Sequence, residues 1–200
     1  MQTIQSLDAL EALYGEPAPA SLSKVCRALT PAYRRWIEGS RFLILSTVGP
    51  DGTDGSPRGD DEPVVEILDD TTLLLPDWRG NNRMDSLRNI VTDGRVSLMF
   101  MVPGSNEVVR VNGQAVLTAD ADVTARFERK GKTPKTVVVI TLQEIYFQCA
   151  KALMRSRLWR GEDLSKTVPS AGALLGDASA GFDANAFNKT YIKRAEETMW

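Results

Sequence analysis

LPDWRGNNRMDSLRNI, residues Leu75 to Ile90, is the stretch on which the fold turns. A strand-like apolar run stops at Pro76. Asp77 to Arg83 then packs an aspartate, two arginines, a glycine and two asparagines into seven residues. A helix is expected straight after, over Asn82 to Thr92, with Met84, Leu87 and Val91 as its apolar stripe and Gly94 past its end. A helix start leaves backbone N–H groups unpaired and carries partial positive charge, so anions bind there. Arg79, Arg83 and Arg88 add guanidinium forks suited to phosphate oxygens. Asn81, Asn82 and Ser86 add neutral donors, and Gly80 lets the backbone approach a ligand closely. The loop has the chemistry of a phosphate cradle. A solvated helix cap with its arginines facing water fits the same residues. Neither a Walker lysine nor a Gly-x-Gly-x-x-Gly run accompanies it.

The surroundings of this helix are strand-like. Upstream, Phe42 to Val48 (FLILSTV) is a compact β-rich run, and Pro50-Asp51-Gly52 is turn chemistry. Ser56 to Asp61 is the expected returning strand. Val64 to Leu68 and Thr72 to Leu75 are short strands joined by an Asp69-Asp70 turn. Downstream, Arg95 to Val102 and Val108 to Leu117 flank a Pro103-Gly104 turn. Asp120 to Glu128 is expected to be a short helix. Lys135 to Leu142 (KTVVVITL) is a long β run that Glu144 to Gln148 extends, and Ala150 to Arg157 turns helical. About six strands around one embedded helix predict a mainly β, α+β protein built on a small antiparallel barrel. A parallel sheet would need a helix after nearly every strand.

Helices flank this region. Ser6 to Tyr14 has Leu7, Leu10 and Leu13 on one face, with Ser6 as N-cap and Gly15 as the stop. Pro17 and Pro19 then break the chain. Pro31 divides the helical spacing of Ser21 to Glu38 into two shorter helices. Thr167 to Phe182 is rich in Ala, Gly and Ser and is expected to be a loose linker. Asn188 to Met199 is a charged helix. The predicted organisation is a helical arm over 1–40, a barrel over 41–160, and a linker and helix over 161–200.

Composition narrows the function. The 200 residues are 42% apolar and 25% charged, with net charge −2, so a basic nucleic-acid footprint is not expected. There is no histidine, which removes Ser-His and Cys-His catalysis. Two distant cysteines, Cys26 and Cys149, fall short of the roughly four N/S ligands of a zinc site. Both are expected as small buried thiols of a reducing compartment. No apolar run approaches the ~20 residues of a membrane span. The acidic N-terminal stretch resembles neither a signal nor a transit peptide, so a cytoplasmic protein is expected.

Three further polar clusters accompany the loop. Ser56-Pro57-Arg58-Gly59 lies on the strand pair before it. In Arg110-Val111-Asn112-Gly113, alternation puts Arg110 and Asn112 on one strand face. Lys151, Arg155, Arg157 and Trp159 form the last group. Each could be structural on its own.

The segments FLILSTVGPDGTDGSPRGDD, LLLPDWRGNNRMDSLRNI, RVSLMFMVPGSNEVVRVNGQAVLTAD and YFQCAKALMRSRLW together resemble the pyridoxamine 5′-phosphate oxidase-like, FMN-binding split-barrel family, and more narrowly its bacterial branch. They span roughly Arg41 to Trp159. The resemblance implies a six-stranded antiparallel split barrel, a homodimer, and two FMN sites lined by both chains. By position, Pro76 and Asp77 end the strand beside the flavin. Asn82 and Arg83 take the places of the family's phosphate ligands, and Ser86 follows on the helix. Ser56, Arg58 and Gly59 fall under the isoalloxazine ring. Arg110 and Asn112 would come from the second subunit, and Lys151, Arg155 and Trp159 could close the pocket. The family's oxidases also bring a C-terminal arginine–histidine pair to their substrate. This chain has no such pair, so FMN binding is implied and vitamin B6 oxidation is not.

The resulting expectation is an FMN-dependent oxidoreductase acting on a small redox substrate. Arg58 or Arg110 would place positive charge by the N1–C2=O edge of the flavin. Four alternatives stay open: a flavin carrier or redox sensor without its own substrate, a haem-handling barrel, a deazaflavin site, and a barrel without cofactor. An absorption spectrum separates the flavin from the haem case.

Overall fold

A computed structural model describes residues 1–199. Strands β1 (Phe42–Gly49), β2 (Gly52–Gly59), β3 (Glu66–Ile67), β4 (Thr72–Asp77), β5 (Arg95–Met101), β6 (Val108–Thr118) and β7 (Thr136–Gln148) form one antiparallel sheet in the order β2-β1-β5-β6-β7-β4-β3. Period-2 alternation sends Leu43, Leu45, Val96, Leu98, Phe100, Val109, Val111, Val138 and Ile140 into one core. On β7 the inward residues run Val138, Ile140, Leu142 and then Ile145. The step of three is a β-bulge: Asn112 faces Glu144, Gly113 faces Leu142, and Gln143 is the extra residue. Gly113 is obligatory here, because a Cβ on it would sit 2.2 Å from the Thr141 carbonyl oxygen.

The sheet has seven strands rather than six, and its strand order leaves two edges. The strand expected over Val64 to Leu68 is β3, only two residues long, and it pairs with Leu73 and Leu74. Beyond Leu74 the outer edge of β4 has no strand partner, and Pro76 has no N–H to donate. Side chains bridge the gap instead. Arg58 Nη1 on β2 lies 2.5 Å from Asp77 Oδ1 on β4, with both side chains about four-fifths buried.

The embedded helix is shorter than expected and turned differently. Helix α4 runs Asp85–Thr92, and its buried residues are Ser86 and Ile90. Met84 and Val91 are exposed, and Leu87 is half-buried. Two causes are visible. Asn82 (φ 59) and Met84 (φ 62) are left-handed, so the chain cannot turn helical before Asp85. The β1 surface below is partly polar, and buried Thr47 accepts a 3.0 Å bond from Asn89 Nδ2.

The remaining helices are α1 (Leu7–Tyr14), α2 (Pro19–Ser23), α3 (Pro31–Glu38), α5 (Ala121–Thr124, continued as a 3-10 turn to Phe127), α6 (Lys151–Ser156), α7 (Ala171–Ala178) and α8 (Ala184–Glu197). Ser6 caps α1 as expected, accepting from Ala9 N, and Gly15 (φ 70) ends it. Two shorter helices separated ahead of Pro31 appear as expected, and Pro19 and Pro31 each open one of them, because a first-turn residue has no helical acceptor for its N–H. Cys26 and Ile145 exchange backbone bonds of 2.9 and 2.8 Å, which stitches the arm to β7. Neither cysteine is buried as expected: Cys26 is half-buried, and Cys149, just past the end of β7, is exposed. The expected loose linker instead contains α7. Alanine is the strongest helix former, and Ser170 supplies the cap. Gly172 N then bonds Asn188 Oδ1 at 3.0 Å, which docks α7 on α8. No helix among the described residues is long and apolar enough to cross a membrane.

Two stability outcomes follow from this packing. Gly113→Ala should destabilise the protein by about 1–3 kcal/mol, measured by chemical denaturation, because rigid backbone leaves the new methyl no room. A double-mutant cycle of Arg58→Ala and Asp77→Ala should return a coupling of about 1–2 kcal/mol. A coupling indistinguishable from zero would mean that the pair does not hold the two edges together.

Candidate functional site

The split between β2 and β4 is a cleft of about 810 Å³. That is within the roughly 300–1,000 Å³ typical of small-molecule sites. Strand β2 forms one wall. Its residues alternate, so half-buried Asp54, Ser56 and Arg58 share one face while Thr53, Gly55, Pro57 and Gly59 are exposed, and half-buried Asp60 follows just past its end. Leu75, Pro76 and Asp77 form the opposite wall, the 78–84 loop and the first turn of α4 close one end, and Lys135, Thr136, Val64 and Met199 complete the lining.

Hydrogen bonds hold these side chains in place. Ser86, buried on α4, donates through Oγ to Asp54 Oδ2. Trp78 Nε1 donates to Asp60 Oδ2 at 3.1 Å. Asp60 Oδ1 accepts from Asp61 N at 2.7 Å and pairs with Arg129 Nη2 at 3.1 Å. Burial pushes the Asp60 carboxyl above its ordinary value, and Arg129 pulls the other way. In the loop, Arg83 N donates to Asn81 Oδ1 at 3.0 Å, an Asx turn that fixes the bend before α4.

Two residues lining this cleft each carry a buried polar atom without a partner, Arg58 Nε and Thr136 Oγ1. Buried donors and acceptors are nearly always satisfied, so such atoms on one cavity mark where a ligand would complete them. The cations divide into two kinds. Arg58 is balanced by Asp77, and exposed Arg83 by Asp85 at 2.5 Å. Arg79 and Lys135 have no ion-pair partner among the described residues. A planar ligand with a polar edge and an anionic tail suits this donor set.

Nine residues expected from the sequence line this one cleft: Ser56, Arg58, Gly59, Pro76, Asp77, Asn81, Asn82, Arg83 and Ser86. Four lie elsewhere. Arg110 sits on β6 with its guanidinium 5.4 Å from the Tyr146 ring centroid, and its Nε is buried and unpartnered. Asn112 Nδ2 donates to Glu144 Oε1 at 2.6 Å, beside a separate hollow that includes Val25 and Arg27. Lys151 is exposed at the start of α6, and Trp159 lies beyond that helix with its Nε1 buried and unpartnered.

The structure adds Asp54, Asp60, Trp78, Lys135, Thr136 and Met199 to the wall. The first two were available from the sequence, since Asp-x-Ser-x-Arg-x-Asp has strand period. Lys135 and Thr136 arrive through the pairing of Asp77 with Thr136, a contact no local pattern announces. Nothing in the sequence signals Met199.

Known proteins agree with this architecture. The family model described as pyridoxamine 5′-phosphate oxidase matches residues 29–149. No curated protein matches the chain. A solved HupZ variant from Group A Streptococcus is 17% identical, with 60% of this chain and 98% of that one covered and a TM-score of 0.50, and so shares the fold. An FMN-binding protein from Syntrophomonas wolfei is 15% identical, with 72% and 97% covered and a TM-score of 0.44. An F420 reductase is 17% identical, with 60% and 98% covered and a TM-score of 0.42. The matched stretch takes in every strand of the sheet and more than half of the sequence, and on that ground the chain belongs to the pyridoxamine 5′-phosphate oxidase family.

Proposed function

We propose that this chain binds FMN in the cleft between β2 and β4 and works as an FMN-dependent oxidoreductase on a small-molecule substrate other than pyridoxamine 5′-phosphate. The observation that carries this reading is the pair of buried, unpartnered atoms, Arg58 Nε and Thr136 Oγ1, on residues that line a single cleft. When bound, the flavin supplies hydride transfer at its N5. The rest of the work falls to the protein. Main-chain N–H groups at the start of α4, with Arg79, Arg83, Asn81 and Asn82, take the phosphate. Ser86 already gives its proton to Asp54, so its oxygen is left to accept. Arg58 and Thr136 satisfy the polar edge of the ring, while Leu75, Pro76 and Val64 keep water from its apolar flank. The absence of histidine argues against the arginine–histidine substrate clamp of the family's B6 oxidases.

The proposal includes a homodimer. Arg110 presents a buried, unpartnered Nε on a sheet face outside the cleft. In this reading a second copy carries Arg110, Asn112, Lys151 and Trp159 to the far side of the ligand.

Three measurements test the proposal. Purified protein mixed with FMN should show a bound flavin spectrum, and binding FMN more tightly than riboflavin would place the phosphate in the cradle. Arg79→Ala and Arg83→Ala should each weaken FMN about ten- to a hundredfold while sparing riboflavin, since charge-assisted bonds contribute about 1.5–3 kcal/mol. Equal loss for both ligands would refute the phosphate assignment. Arg110→Ala should weaken FMN binding in a protein that sediments as a dimer; a monomer that binds FMN at full strength would remove the second copy from the site.

A further inference from the structure

Two rungs cross the split, and only the first is an ion pair. Arg58 reaches Asp77; two residues further along the chain, just past the end of β2, Asp60 reaches Trp78. Asp60 is itself held. Its side chain is 5% exposed, one oxygen takes Asp61 N and Arg129, and the other takes the indole N–H. An indole tethered at its N–H has lost its main freedom of rotation. Trp78 is also the only aromatic side chain among the described residues lining the cleft. It follows Asp77, the partner of Arg58, directly in the chain, and both Trp78 and Arg58 line the cleft.

Building on the FMN reading above, we infer that Trp78 is the ring platform of this site and Asp60 its positioning residue. The face of the bound isoalloxazine rests on the indole. Its polar edge meets Arg58 Nε and Thr136 Oγ1, and its tail runs toward the loop that ends at α4. This orients the ligand along the cleft, with the ring at the β2–β4 rungs and the phosphate at residues 79–86. It also predicts that flat aromatic compounds bind the ring end without needing the phosphate end. Tryptophan suits the role because its large π-face stacks in offset geometry while its N–H remains free to be tethered.

Flavin fluorescence provides the test, because an indole in contact with a flavin quenches its emission by electron transfer and phenylalanine does not. FMN bound to the parent should be dark. Trp78→Phe should keep the affinity within about threefold and recover much of the emission, since a ring face remains. Trp78→Leu should weaken FMN about tenfold, matching the loss of one aromatic contact. Asp60→Leu, which offers the indole no acceptor, should recover more emission than Asp60→Asn, whose amide oxygen still accepts. Phenylalanine tolerates the same packing, so the emission readout survives if the leucine variant fails to fold. If FMN bound to Trp78→Phe stays as dark as in the parent, Trp78 is not the platform, although FMN binding stands. If the parent binds no FMN, both this inference and the FMN reading fall. If Asp60→Leu and Asp60→Asn emit alike, Asp60 does not position the ring.

Discussion

The ion pair between Arg58 and Asp77 is the constraint on which the rest of the site depends. A sheet whose last strand is two residues long cannot close by main-chain bonds alone. The pair draws the two open edges together while leaving a gap between their backbones, and that gap is the cleft. Because both side chains are about four-fifths buried, the interaction is shielded from salt and solvent far more than a surface pair would be. It also sets the local electrostatics. Arg58 spends its charge on Asp77 but keeps Nε unpartnered, so what it offers a ligand is a directed donor more than a free positive charge.

The same balance holds along the whole wall. Asp54, Asp60, Asp77 and Asp85 line the cleft together with Arg58, Arg79, Arg83 and Lys135. Positive and negative groups are nearly matched, so affinity for an anion cannot come from a strong net field. It has to come from geometry: amides at a helix start, an Asx turn, and guanidiniums placed one by one. The left-handed Asn82 and Met84 belong to this arrangement. Each left-handed residue other than glycine costs on the order of 1–2 kcal/mol, and the bend they make delivers the chain to α4 at the mouth of the cleft.

Much of this was legible in the amino-acid order. FLILSTV and RVSLMFMV read as strands because β-branched and apolar residues cluster between turn residues, and both appear as β1 and β5. The donor-rich loop was recognisable because Asp, Asn, Arg and Gly rarely crowd together without a turn or a ligand. Other parts were not legible. Met84, Leu87 and Val91 have helical spacing, yet the helix buries Ser86 and Ile90, because Thr47 on the facing strand rewards a polar contact. The Ala- and Gly-rich stretch after Thr167 has the composition of a linker, but Asn188 and Ser170 turn it into a docked helix. The short strand expected over Val64 to Leu68 is present, but only Glu66 and Ile67 of it pair as β3.

What the sequence alone determined was local: the strand runs, the helix start at Ser6, the division of the next helical stretch at Pro31, and a cluster of donors next to a helix. Those features depend on neighbours within a few residues, so a linear reading captures them. The tertiary structure decided everything that joins distant segments. It set Thr136 beside Asp77, Ser86 against Asp54, and Trp78 under the hold of Asp60. It also separated Arg110, Asn112, Lys151 and Trp159 from the cleft. The reason is that a cleft is a property of the gap between two edges, and the gap exists only after the sheet has twisted far enough for those edges to meet.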